Sequence, residues 1–219
     1  MILREDIVHA ARPLRQIFWG TLLVLLDVTF SLTYGGGGFR FDVLDDTLGM
    51  VLIIAAVARL RGIPVDSYYV ARMGFIRWVA ILALSESILD HFIFAQPWLL
   101  TFLLQILGIA KIVASLLFLA CMRDLCLETM LIEAARRWQT TLTLFLVFYG
   151  IPFGLLLIVA MLAGDSFHID AGPGMLLIVL LFLVPLVSFF GATLTMARSA
   201  RMPAMGAAAW PYVNAPSVD

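Results

Sequence analysis

The stretch Trp98-Leu-Leu-Thr-Phe-Leu-Leu-Gln-Ile-Leu-Gly-Ile-Ala-Lys-Ile-Val-Ala-Ser-Leu-Leu-Phe-Leu-Ala-Cys-Met122 decides the class of this protein. It is apolar throughout except for Thr101, Gln105, Lys111 and Ser115. A helix of about 20 such residues matches the hydrocarbon thickness of a bilayer. In that medium every backbone N–H and C=O must find a partner within the chain, and a helix supplies them all itself. The run is also too long and continuous for the roughly ten-residue strands of a membrane barrel.

Outward from this stretch, further apolar runs lie on both sides. The expected spans are about 17–34, 43–60, 74–94, 98–122, 140–163 and 175–197. Together they make a single all-α transmembrane domain over 1–202, a bundle of about six helices. A flexible cytoplasmic tail, 203–219, follows with Pro203, Pro211 and Pro216. The second span is short in apolar residues, so it is expected to begin near Val43, with Asp45 and Asp46 in its first turn at the positive end of the helix dipole. Before the first span, Ile2, Ile7, Val8 and Ala11 recur at helical spacing. That spacing predicts an amphipathic helix on the membrane surface. Arg61 to Met73 reads as a surface-lying loop, and Leu127 to Trp138 as an interfacial helix. Tyr68, Tyr69, Trp78, Trp98 and Trp138 fall near the expected boundaries, as an aromatic belt would.

Composition agrees. Hydrophobic residues make up 63% and charged residues 13% of the 219, against about half and about a quarter in soluble domains. With a mean hydropathy of +1.03, a soluble fold of this size would have nowhere to bury the excess. A net charge of −1 gives no electrostatic case for nucleic acid. Cys121 and Cys126 lack companion ligands at zinc spacing and read as structural thiols, with reversible lipidation as the other reading. No metal or cofactor is implied.

Orientation follows from the basic residues. With the N-terminus inside, Arg4, Arg12, Arg15, Arg59, Arg61, Arg72, Arg77, Arg123, Arg136, Arg137, Arg198 and Arg201 all fall on cytoplasmic segments. Only Arg40 falls outside, and Lys111 lies within a span. This is the asymmetry of the positive-inside rule, and it places both termini in the cytoplasm of a bacterial cytoplasmic membrane.

Gly20-Thr-Leu-Leu-Val-Leu-Leu-Asp27 and Gly38-Phe-Arg-Phe-Asp-Val-Leu-Asp-Asp-Thr-Leu-Gly49 carry a resemblance. They are similar to a group of bacterial multi-pass membrane proteins of unassigned function whose first outer loop reads roughly I-D-I-L-P-D-F-I-G-Y. Phe41, Asp42, Val43, Leu44, Asp46, Leu48 and Gly49 match, some only as apolar for apolar. Asp45 replaces the proline, Thr47 the phenylalanine and Met50 the tyrosine. The resemblance covers about a quarter of the chain. It implies that the second helix begins near here, and it carries no activity with it.

Ionisable residues inside a bilayer are costly and are functional candidates by default. Here they are Asp27, Glu86, Asp90, His91 and Lys111. The third and fourth spans turn at Gln96-Pro97, so residues at equal depth should have numbers adding to roughly 193–197. That rule pairs Glu86 with Lys111 and Asp90 with Gln105, and Asp27 could join from the first span. The cluster reads first as a buried ladder locking two helices, with an ion pathway or substrate contact as alternatives. Gly150 and Gly154 flank Pro152 and read as a packing notch or hinge. Asp42, Asp45 and Asp46 make the outer loop acidic, and the glycine run Gly35 to Gly38 reads as an outer hinge. His91 and His168 could bind a metal, though a hydrogen-bonded role asks less of them.

No H-E-x-x-H, G-x-S-x-G or nucleotide-binding loop occurs, so no enzyme is expected. Two classes survive. One is an interaction or assembly component with a membrane-protein partner or a second copy of itself. The other is a small transport or capture protein binding a small ligand or ion. It is similar in size and helix number to the substrate-binding components of vitamin-uptake transporters, but its first span lacks their alanine-every-fourth pattern.

Overall fold

The first five helices each pack against the next in the chain, and the last closes the ring by packing on the fifth and on the first. The computed structural model describes residues 4–25, 29–34, 37–42, 46–90, 98–163 and 174–201, with the backbone alone in the hairpin and at several positions in the helices, mostly at their ends. The helices are α1 (Arg4–Leu25), α2 (Asp46–Arg61), α3 (Ser67–Asp90), α4 (Trp98–Glu128), α5 (Ile132–Phe145), α6 (Ile151–Ala163) and α7 (Gly174–Arg201). A π-helical turn, Leu146–Gly150, joins α5 to α6, so these two run on as one element. Around the ring, α1 packs on α2, α2 on α3, α3 on α4, α4 on α5, α5 on α7 and α7 on α1.

Three helical stretches are long and apolar enough to cross a membrane: Trp98–Glu128, Ile132–Val159 and Leu183–Arg201. In the most apolar part of the second, only 6% of residues are buried inside the protein. Trp98, Leu162 and Val187 point outward, so the apolar surface faces away from the bundle. A surface of that kind needs lipid or a partner to cover it.

The core lies at one end of the ring. Ile7, Ala10, Leu14 and Ile17 of α1 meet Val57 and Leu60 of α2, Met73 of α3, Met122 and Leu125 of α4, Trp138 of α5 and Met196 of α7. The Phe189 ring sits edge-on to Trp138 at 5.2 Å and stacks with Phe118 at 6.2 Å, linking α7 to α5 and α4. Thr141 and Ser188 hydroxyls lie 2.8 Å apart across α5 and α7.

Several sequence expectations change. The segment before the first span is not a separate surface helix. It forms the first turns of α1, and its Ile7–Ala10–Leu14–Ile17 face is core. The helical part of the span 17–34 ends at Leu25. Thr29–Tyr34 is a strand paired antiparallel with Gly37–Asp42, Tyr34 opposite Gly37 and Thr29 opposite Asp42. β-branched and aromatic residues at Thr29, Phe30, Thr33 and Tyr34 suit a strand, and this outweighs their apolar character. Gly37 and Gly38, read as part of a hinge, are strand residues.

The loop expected from Arg61 to Met73 shrinks to Gly62–Asp66, because Asp66 caps α3. Its Oδ1 accepts from Tyr69 N at 2.6 Å, as a side chain at the N-cap does. Nor is Leu127–Trp138 one interfacial helix. α4 runs to Glu128 and a tight turn leads into α5, whose Ala134, Ala135 and Trp138 are buried. Leu131 N donates to Cys126 O at 2.8 Å and Met130 N to Leu127 O at 3.0 Å, the bond pattern of a Schellman cap. Met130 holds the left-handed position at φ 59°, where glycine pays no Cβ penalty. Met130→Gly is therefore expected to raise stability by about 1 kcal/mol, read as a higher melting temperature in detergent.

The aromatic belt is also thinner than expected. Tyr68, Trp78 and Trp98 are exposed, whereas Tyr69 and Trp138 are core. Cys121 and Cys126 are buried too, which leaves the lipidation reading no accessible thiol. The tail, the segment between α6 and α7 and residues 91–97, with His91 and His168, lie outside the described residues.

Candidate functional site

α3 and α4 run antiparallel, and charged groups meet at two depths along their seam. At the deeper level the Lys111 ammonium donates to Glu86 Oε2. Lys111 and Glu86 side chains are 37% and 18% exposed, so the pair is partly open on one flank. Ser115 Oγ donates to Lys111 O at 2.9 Å, and Thr47 of α2 approaches Ser87 at 3.4 Å. A lone ammonium or carboxylate at this depth would carry a severe desolvation cost, and mutual neutralisation offsets most of it.

The second level was not singled out from sequence. Arg72 NH1 bonds Asp124 Oδ2 at 3.3 Å, and Arg123 NH2 bonds Asp124 Oδ1 at 2.7 Å. Arg123 NH1 also donates to Gln139 Oε1 at 2.9 Å, tying α4 to α5. The Arg72 guanidinium covers the Tyr68 ring at 3.7 Å and donates to its hydroxyl. The equal-depth rule that pairs Glu86 with Lys111 also pairs Arg72 with Asp124, so the signal was there. It passed unused because these residues sit outside the expected spans.

Tyr69 closes the same end. Its hydroxyl donates to Leu60 O at 3.0 Å, taking up a carbonyl at the end of α2. Burial, and then Cys121, pushes the phenol pKa above its usual value. The folded state therefore holds this proton more tightly than the unfolded chain. The resulting stability is complete below pH about 10 and lost as pH rises through the folded value. Tyr69→Phe is expected to cost about 1 kcal/mol at neutral pH. It should also flatten the alkaline fall in melting temperature.

Comparison with family models, curated proteins and solved structures returned no match. The chain's own geometry carries the reading.

Of the other expected site residues, Gln105 lies half-buried on α4. Asp27 and Asp45 lie outside the described residues, as do the side chains of Asp42, Asp46 and Asp90, so the structure does not describe the second rung of the ladder. A Cβ on Gly150 would stand 3.3 Å from a Leu146 methyl and 3.7 Å from an Ile112 methyl, whereas one on Gly154 would have nothing within 4 Å. The π turn ends at Gly150, two residues before Pro152, and Ile151 N donates back to Leu146 O. Proline offers no N–H to the carbonyl four residues earlier and crowds it, and a wider turn relieves that conflict.

Among the described glycines, a tighter helix approach lies elsewhere. A Cβ on Gly20 would stand 2.6 Å from Gly49 O, and one on Gly49 would stand 2.7 Å from Gly20 O. These glycines let α1 and α2 touch backbone to backbone. Sequence reading quoted both residues but missed the contact, because each is a lone glycine on its own helix.

Proposed function

We propose that the chain is a six-span protein of the bacterial cytoplasmic membrane, both termini cytoplasmic, acting as an assembly or accessory component. The observation that carries this is the Lys111–Glu86 pair. A carboxylate already bonded to an ammonium is neutralised in place, so it serves to hold α3 on α4 rather than to receive a passing ion. The outward apolar faces of α4, α6 and α7 support the membrane setting. The arginine-bearing helix ends supply a surface for a membrane-protein partner, a second copy or anionic lipid. The similarity of Phe41–Gly49 to the multi-pass group belongs to this proposal, and the start of α2 at Asp46 is compatible with it.

A transport reading draws on one observation, the π turn beside Pro152, because such turns recur at functional sites. Native mass spectrometry of the protein released gently from its membrane separates the two. The expected result is a stoichiometric protein partner and no small ligand other than membrane lipid. A small ligand retained by wild type and lost in Glu86→Gln would overturn assembly in favour of transport.

A further inference from the structure

At the core end of the ring, α1 and the end of α2 enclose a crevice of about 270 Å³, lined by His9, Ala10, Arg12, Pro13, Arg59 and Ile63. We infer that this crevice binds the phosphate group of an anionic lipid headgroup. The inference rests on the membrane reading above and adds to it a specific site and ligand class.

The lining divides by chemistry. Arg12, Arg59 and His9 supply nitrogen donors, and among the described residues no carboxylate lines the crevice. Among the described residues no carboxylate pairs with Arg12 or Arg59. Arg59 NH1 donates to Gln16 Oε1 at 2.8 Å, which fixes the guanidinium without adding a countercharge, since Gln16 is neutral. A planar guanidinium held in this way matches phosphate geometry. Ala10, Pro13 and Ile63 form an apolar floor suited to the glycerol and upper acyl carbons of a lipid.

The end of α2 would normally repel an anion, because its carbonyls carry partial negative charge. Here two of those carbonyls, Arg59 O and Leu60 O, are engaged. Gly62 N donates to Arg59 O at 3.1 Å, Ile63 N to Leu60 O at 3.1 Å, and the Tyr69 hydroxyl also reaches Leu60 O. What faces the crevice is the arginine charge. The location suits a leaflet ligand as well. Arg59 stands where α2 leaves its apolar stretch, and the Arg72–Asp124–Arg123 cluster marks the same end of the bundle. A free phosphate would use the same nitrogens but leave the apolar floor unoccupied, and this favours the lipid.

The test is native mass spectrometry of the full chain in detergent, titrated separately with dimyristoyl phosphatidylglycerol, dimyristoyl phosphatidylcholine and inorganic phosphate. One phosphatidylglycerol per chain is expected, held well above phosphatidylcholine. Arg12→Gln/Arg59→Gln should weaken it roughly thirtyfold, since each basic side chain near a headgroup contributes roughly fivefold. Arg61→Gln, next to the crevice but outside its lining, should bind as wild type does. Equal retention of the two lipids, or an unchanged double variant, would overturn the inference. Retention of inorganic phosphate with no preference for phosphatidylglycerol would also overturn it and assign the crevice to a soluble anion. A chain that stays monodisperse without detergent would instead defeat the membrane reading, so the two failures are told apart.

Discussion

Gly49→Leu is expected to destabilise the bundle by about 3 kcal/mol or more, the upper end of what overpacking costs. The reason lies in what the new side chain would meet. Its Cβ would stand 2.7 Å from Gly20 O and 2.8 Å from a Val24 methyl. A side chain can rotate away, but a backbone carbonyl cannot, so α1 and α2 must separate along their crossing. That separation would loosen Leu14, Ile17, Val57 and Leu60, which share the core at the end of the bundle next to it. Gly20→Ala should move in the same direction with a smaller effect, since its Cβ meets Gly49 O at 2.6 Å and an Ile53 side-chain carbon at 2.8 Å. Gly154→Ala is the control. Nothing stands within 4 Å of its Cβ position, and alanine gains about 1 kcal/mol of helix propensity over glycine. Thermal unfolding in a mild detergent reads all three. A Gly49→Leu protein that melts with wild type would mean that α1 and α2 do not cross at these glycines.

The contrast between Gly20–Gly49 and Gly150–Gly154 shows where sequence reading reaches. Two glycines four apart on one helix advertise a notch, and the eye finds them. Two lone glycines on different helices advertise nothing until the chain is folded, because the contact is set by the register of two elements. Features governed by one helix or one turn were legible: the apolar run from Trp98, the kink-prone Pro152, and the neutralising partner for Glu86 once the α3–α4 turn was placed. Depth along that single turn was enough to bring Lys111 to it.

What failed was the boundary between apolar and helical. Thr29–Tyr34 is apolar enough to extend the first span, yet its residues prefer an extended backbone and pair with Gly37–Asp42. Ile7 and Leu14 have the spacing of a surface helix, and the same spacing serves a buried face equally well. Periodicity shows which residues share a face, and tertiary packing decides what that face meets. The Arg72–Asp124–Arg123 cluster was missed for a related reason. Charges were sought where lipid makes them costly, although charges at the rim also tie helices together when they converge on one carboxylate.

The ion pair yields the second large effect. Lys111→Ala leaves the Glu86 carboxylate with no ammonium, beside an apolar seam. Removing one partner of a fully buried pair costs about 3–5 kcal/mol in soluble proteins, while polar contacts in membranes average about 1 kcal/mol. With Lys111 37% exposed, a loss of about 2 kcal/mol lies between these limits. Glu86→Ala/Lys111→Ala should be milder than either single change, because no uncompensated charge is left behind. Glu86→Met/Lys111→Met should recover most of the wild-type melting temperature, since apolar residues of similar volume suit the seam. Independent, additive losses would show that the two groups do not interact in the folded protein. The methionine pair also separates the functional classes. If the charges only hold α3 on α4, the double variant keeps both its fold and its protein partner. If they carry an ion or a substrate, it keeps the fold and loses the cargo.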